Sequence, residues 1–189
     1  GIRNNSVVRT PVELYERAIA RHQQAAPLVQ DPAGAALELA HIYNGLGTVL
    51  SEQRHGDAAR QAHERVLQVL ESTRGASQRS PYELARTLYL LHLVDRRPPW
   101  GPPRGAGPAA ADTALERAID LLESVEAPLP TAPEDRFLLA RCYLSRGFAR
   151  SRPGVPPVTD DHQHAIRILE SLVEEFPTKP DYRYELGNA

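Results

Sequence analysis

The residues of this chain that could bind a metal ion lie together in one segment, residues 160–164. Asp160, Asp161, His162 and His164 carry the carboxylate and imidazole groups that coordinate transition metals. On a helix, however, His162 and His164 would point about 200° apart, unlike the i, i+4 histidine pairs of helical zinc sites. Aspartates at the start of a helix are also explained by capping and by the helix dipole. The segment therefore predicts a helix start, and we expect no metal or other cofactor.

Two other places carry residue types that occur in catalytic sites. His55 and His63 flank Gly56 and Asp57, but no Asp or Ser is placed so that a catalytic triad is recognisable. We expect His63 to be a half-buried packing residue. Cys142 lies in an apolar segment, which favours a small buried residue over a nucleophile. The sequence thus shows no catalytic constellation, and we expect a protein that is not an enzyme.

Composition and charge argue against nucleic-acid and membrane partners. The formal net charge is -2, and basic residues alternate with acidic ones instead of forming a stripe. The longest apolar stretch, residues 88–94, is interrupted by His92 and is far too short to span a bilayer. No glycine-rich phosphate loop, dinucleotide fingerprint or paired-cysteine zinc pattern occurs. We therefore expect no nucleic-acid partner and no insertion into a membrane.

Two short phrases recur along the chain and indicate repeated helices. The phrase Ala-x-x-Tyr-x-x-x-Gly begins at Ala40 and again at Ala140, and the phrase Glu-Arg followed by two apolar residues begins at Glu16, Glu64 and Glu116. Matched positions of the two phrases are 22, 19, 22 and 22 residues apart, counted between Ala18 and Ala40, Val66 and Ala85, Ala118 and Ala140, and Ala165 and Gly187. Chance similarity between alanine-rich helices would not keep that register. The chain therefore alternates an A helix, which carries the first phrase, with a B helix, which carries the second.

Helix-start signals and apolar periodicity place the individual elements. Thr10 and Ser80 each precede a proline and lie three residues before a glutamate, as in a capping box. We predict an all-α protein, an α-α superhelix of about seven to eight antiparallel helices, near 11–26, 35–53, 57–73, 81–96, 111–126, 134–150, 161–176 and 181–189. It forms a single domain with repeat parts at about 10–26, 35–73, 81–126, 133–176 and 180–189. Because the chain contains no methionine and begins with Gly1, we expect it to be a piece of a longer protein.

Two segments rich in proline and glycine, residues 97–108 and 151–158, interrupt the repeat at the turns from an A helix to a B helix. No helix can run through either segment, so both are predicted to be loops on one edge of the repeat. Residues 98–103 could also form a polyproline-II ligand for an aromatic groove, but we favour an exposed loop, which this composition is typical of.

The first complete repeat resembles the tetratricopeptide repeat (TPR) family. Tyr43, Leu46-Gly47, Ala59 and Val66-Leu67 match its pattern, and Ala40 and Val66 are separated by the family's internal spacing of 26 residues. The period here is roughly 45–55 residues, longer than the usual period of about 34. In this respect the chain is similar to the long-period arrays attached to bacterial serine/threonine kinases and other signalling proteins. The resemblance implies a right-handed solenoid that binds partners in a concave groove lined mainly by A helices.

The resemblance implies a set of candidate partner-binding residues, which are the positions of the A helices that correspond in register to the groove positions of the family. They are His41, Asn44, Thr48 and Glu52, then Arg86, Tyr89, Leu93, Arg96 and Arg97, then Arg141, Leu144, Phe148 and Arg152. Five arginines in the set favour an acidic or C-terminal-carboxylate ligand. The alternative is that these arginines are solvated surface residues paired with nearby acids. The family's carboxylate clamp is not found, and Asn44 is its single suggestive match.

These expectations favour a protein–protein interaction scaffold that holds a peptide or a neighbouring domain. The alternative is a regulatory or sensor segment of a larger bacterial signalling enzyme, acting by intramolecular docking. An enzyme would need a buried polar constellation, which the sequence does not show.

Overall fold

The computed structural model describes residues 10–72, 77, 79–96, 108–124, 132–150 and 160–189. The regular structure of these residues is entirely helical. It comprises α1 (Pro11–Ala25), α2 (Pro32–Glu52), α3 (Gly56–Ser72), α4 (Ser80–Asp95), α5 (Pro108–Glu123), α6 (Pro133–Arg150), α7 (Asp160–Glu175) and α8 (Pro180–Asn188), with one 3-10 turn at Ala26–Leu28. The predicted all-α fold is confirmed, and every predicted helix is present with its boundaries within about three residues.

Side-chain caps explain where α1 and α2 start. At α1 the Thr10 hydroxyl accepts from the Glu13 N–H at 3.3 Å, and the Glu13 carboxylate accepts from the Thr10 N–H at 3.1 Å, which completes the predicted capping box. Helix α2 starts three residues earlier than predicted because the Asp31 carboxylate caps the Gly34 N–H at 3.0 Å. The predicted capping box at Ser80 is wrong. Arg79 is the N-cap residue of α4, no side chain caps the helix, and the Glu83 side chain turns toward α2.

Helices pack chiefly against their neighbours in sequence, and α2 also contacts α4, which in turn contacts α6. This is the packing expected of an α-α superhelix. The alanines of the repeated phrases explain how the backbones approach each other so closely. Ala40, Ala85 and Ala140 of the A helices, and Ala118 and Ala165 of the B helices, have no exposed surface. The register deduced from the sequence thus corresponds to positions buried between helices.

The largest apolar core extends from α4 to α8. Ile119, Leu122, Leu169 and Leu172 are its most completely buried large side chains, and a smaller cluster of Ala40, Val66 and Leu70 joins α2 to α3. Burying such side chains contributes about 1.5–3 kcal/mol each. None of the described helices is long and apolar enough to cross a membrane.

Candidate protein-binding groove

One open groove is shared by the four A helices α2, α4, α6 and α8, and has a volume of about 550 Å³. Its lining comes from 13 side chains, which include both charges and three aromatic rings. They are His41, Arg79, Tyr82, Glu83, Arg86, Glu134, Asp135, Phe137, Leu138, Arg141, Lys179, Asp181 and Tyr182. Side chains distant in sequence therefore converge on one surface because alternate helices of the repeat share a face.

Aromatic rings form the apolar part of this groove. Tyr182 of α8 is 6% exposed, and its ring centroid lies 5.0 Å from that of Phe137 on α6 and 6.2 Å from that of Phe176. The Arg79 guanidinium lies 4.9 Å from the centroid of Tyr82. Tyr82 and Phe137 are partly exposed, whereas Tyr182 is buried beneath the groove surface. Partly exposed aromatic rings are among the side chains that most often dominate protein interfaces.

Ion pairs connect the charged residues of the groove. Asp135 accepts from Arg79 at 2.5 and 3.4 Å. Arg141 places its Nε 3.4 Å from the Glu185 carboxylate, and its guanidinium lies 5.3 Å from the Tyr89 ring centroid and 5.8 Å from that of Phe137. These arginines are thus already engaged by carboxylates and rings of the protein itself.

Glu83 is the most unusual carboxylate in the groove. Its side chain is 5% exposed, with Oε1 3.4 Å from His41 Nε2 and Oε2 4.0 Å from Arg86 Nη1. Among the described residues, none donates a hydrogen bond to Oε2. A buried carboxylate is normally hydrogen-bonded or closely paired, because burial removes its hydration. This buried oxygen therefore lacks the hydrogen bond that such a group normally accepts.

The lining as a whole is electrically balanced. Four of its side chains are cationic and four are carboxylates, so it carries no net charge when His41 is neutral. The cations are Arg79, Arg86, Arg141 and Lys179, and the carboxylates are Glu83, Glu134, Asp135 and Asp181. This balance does not add support to the prediction of an acidic ligand, and it matches the alternative in which the arginines pair with nearby acids.

The structure brings three of the sequence-predicted residues into the groove. His41, Arg86 and Arg141 occupy equivalent positions, each directly after a buried alanine of the A phrase. Thr48, Glu52, Leu93, Arg96 and Phe148 are exposed but do not line it. Arg97 and Arg152, together with most of the two Pro/Gly-rich segments, lie outside the described residues.

Three predicted groove residues are buried instead: Asn44, Tyr89 and Leu144, at 1%, 5% and 4% exposure. Asn44 is the centre of a polar network between helices. Its Nδ2 donates to Thr87 Oγ1 at 3.0 Å, and its Oδ1 lies 3.0 Å from His63 Nδ1. Thr87 in turn donates to the Glu83 carbonyl at 2.7 Å. The amide therefore connects α2 to α3 and α4, and is not a surface for a ligand.

His63 is more deeply buried than predicted, with 1% of its surface exposed. Desolvation, helped by the nearby Arg86 charge, lowers the pKa of His63 to about 4. Since Asn44 Oδ1 only accepts, the His63 Nδ1 must donate to it, which suits a neutral imidazole. This histidine is a packing residue, as predicted.

Cys142 is also a packing residue, as predicted. It is fully buried and free of disulfide bonds. Burial raises the pKa of its thiol to about 12, which opposes formation of a nucleophilic thiolate.

The histidine and aspartate segment begins α7, as predicted, but capping does not account for Asp161. Its carboxylate accepts from Arg146 at 2.6 and 3.0 Å, while Arg146 also donates to Glu116 at 2.8 Å. His164 stacks on Tyr143 with ring centroids 5.4 Å apart, and His162 packs edge-on against Phe148. Within the described part of the chain, no group of three or more potential metal ligands occurs.

Comparison with protein-family models, with curated proteins and with solved structures yields no match to this chain. The resemblance to TPR proteins therefore depends on the residues quoted above, and a function has to be argued from the groove itself.

Proposed function

We propose that this protein is a helical-repeat scaffold that binds another protein through the groove of α2, α4, α6 and α8. The observation that carries the proposal is the convergence of four separate helices on one open surface. An extended segment of a partner is the kind of ligand that could contact all four at once.

The composition of the groove supports a protein ligand over a small molecule. Partly exposed aromatic rings beside paired charges are typical of protein interfaces, whereas small-molecule sites are more enclosed and more apolar. The exposed ends of Arg86 and Arg141, whose side chains are 51% and 40% exposed, provide polar contacts at the edge of the rings. A peptide would thus meet an apolar centre and a polar rim.

Site-specific photo-crosslinking tests this proposal. A photoreactive phenylalanine analogue replaces Arg86 in the groove, and in a matched control it replaces Arg167, which is exposed on α7 away from the groove. We expect a defined partner to crosslink from position 86 of the full chain in a lysate of its source, and not from position 167. If both positions capture the same proteins, or position 86 captures none, the groove is not the binding surface.

A further inference from the structure

Glu83 and Asp135, the two buried carboxylates of the groove, differ in how closely cationic side chains pair with them. Asp135, whose side chain is 8% exposed, accepts two hydrogen bonds from Arg79. Glu83 is buried to the same degree, but its nearest cations are an imidazole at 3.4 Å, charged only when protonated, and a guanidinium at 4.0 Å. Its Oε2 lacks a donor among the described residues. Glu83 therefore has unused capacity to bind a positive charge.

The side chains that cover Glu83 are able to move aside. His41 and Arg86 are 52% and 51% exposed, so each can change rotamer into solvent without leaving a packed core. A cation from a partner would replace the distant Arg86 contact with a direct, charge-assisted hydrogen bond to Oε2. Burial beneath the rim would strengthen that bond, since water screens it less there.

The groove that contains Glu83 already accommodates arginine side chains of the protein itself. The Arg79 guanidinium lies 4.9 Å from the centroid of the Tyr82 ring, and that of Arg141 lies 5.8 Å from the centroid of Phe137. Cations are attracted to such ring faces by the ring electrons. The combination of carboxylates and aromatic rings in this lining is therefore compatible with an arginine or lysine of a partner.

We propose that Glu83 is the residue that determines ligand specificity in the groove, binding the side-chain guanidinium or ammonium group of an arginine or lysine in the partner. This inference rests on the proposed function, and it reverses the acidic ligand expected from the sequence. The reversal follows from the structure, in which Arg79 and Arg141 already face carboxylates while Glu83 Oε2 accepts no hydrogen bond from the described residues.

The test uses an array of N-acetylated heptapeptides of random sequence, so that a side chain is the sole source of a peptide cation. The full chain, Glu83→Gln and the matched control Glu134→Gln are compared. Glu134 lines the same groove but is exposed, so its variant removes the same charge from a hydrated position. Far-UV circular dichroism checks that both variants keep the helical fold.

We expect the unmodified chain to select peptides with an arginine or lysine at a fixed position. For the best such peptide, Glu83→Gln should raise Kd at least about tenfold, and Glu134→Gln should change it less than about threefold. Replacing the selected arginine of the peptide by the neutral citrulline should raise Kd for the unmodified chain by the same factor as Glu83→Gln does. The same replacement should not raise Kd further when the protein already carries Glu83→Gln. If Glu83→Gln does not fold, the citrulline comparison on the unmodified chain still tests whether a peptide cation is bound, and equal binding of the two peptides would overturn the inference.

The alternative outcomes separate this inference from the proposed function. Selection of acidic peptides, or of basic ones that bind Glu83→Gln equally well, would overturn the role of Glu83 and leave the groove as a binding surface. If the array shows no sequence preference on the unmodified chain, both proposals are wrong.

Discussion

Replacing Gly47 by alanine should destabilise the protein, although helix propensity alone predicts the opposite. Gly47 lies inside α2, where a change from glycine to alanine normally stabilises by about 1 kcal/mol. An added Cβ would, however, lie 2.5 Å from Cε1 and 2.6 Å from Nε2 of His63, against 3.4 Å or more for ordinary contact. The ring would have to move by about 0.9 Å, the difference between 3.4 and 2.5 Å.

That movement is resisted by the network around His63. The imidazole is 1% exposed and its Nδ1 donates to Asn44 Oδ1 at 3.0 Å, so displacing it strains both the packing and a buried hydrogen bond. Overpacking costs about 1–3 kcal/mol and loss of the bond about 1 kcal/mol, which together outweigh the gain in propensity. We expect the free energy of unfolding to fall by about 1–3 kcal/mol.

Urea denaturation followed by circular dichroism measures this change, with Gly187→Ala as the matched control. A Cβ at Gly187 would meet no atom within 4 Å, so that variant should be neutral or stabilising by up to about 1 kcal/mol. In a chain that already carries His63→Ala, the methyl group added at position 47 has room. Gly47→Ala should therefore lower the free energy of unfolding much less in that chain than in the unmodified one. Equal cost in both backgrounds would refute the attribution to His63.

Two further predictions concern charge. Burial holds the pKa of His63 near 4, below its unfolded value of about 6.5. Between these two pH values unfolding takes up a proton, because the imidazole is neutral in the folded chain and protonated in the unfolded one. The contribution of His63 to the free energy of unfolding is therefore fully present above about pH 6.5, and the free energy falls by up to about 3 kcal/mol toward pH 4. In urea titrations at several pH values, His63→Gln should remove that part of the pH dependence, and an unchanged slope would contradict the assignment. Arg146→Met removes two charge-assisted hydrogen bonds from the buried Asp161 carboxylate and should cost about 1–3 kcal/mol. Arg136→Met, which removes the partner of the half-exposed Glu175 carboxylate, should shift the urea midpoint much less, because water can replace the lost donor there. Comparable shifts of the two variants would show that burial of the carboxylate does not set the cost.

The helices could be predicted from sequence because their signals are local. Thr10-Pro11 begins α1 through contacts within four residues, and the alanines of the repeated phrases mark the buried positions. The same local rule fails at Ser80, since the Glu83 side chain that would complete a capping box lies instead against His41 of a different helix. A tertiary contact, which no local pattern encodes, has overridden the capping preference.

The groove was only partly predictable because the family's positions were carried over too far along each A helix. The structure shows that the lining of α4 follows residues 79, 82, 83 and 86, and that of α6 follows residues 134, 137, 138 and 141. Both sets have the spacing i, i+3, i+4, i+7 and end directly after the buried alanine, so they form one helical stripe used twice. Extending the repeat register backwards from Arg86 and Arg141 would have found this stripe, to which Asp135 is added in α6, whereas α2 contributes His41.

The same register places a glutamate at the position of Glu83 in three of the four A helices, as Glu38, Glu83 and Glu185, and a leucine, Leu138, in α6. The repeat therefore accounts for the residue type but not for its burial, because the side chains of Glu38 and Glu185 are 78% and 23% exposed and that of Glu83 is 5% exposed. Burial of Glu83 accompanies its contact with His41 of α2. A buried carboxylate with no donor to one oxygen is costly. The comparison of arginine and citrulline peptides decides whether a cation of a partner offsets that cost.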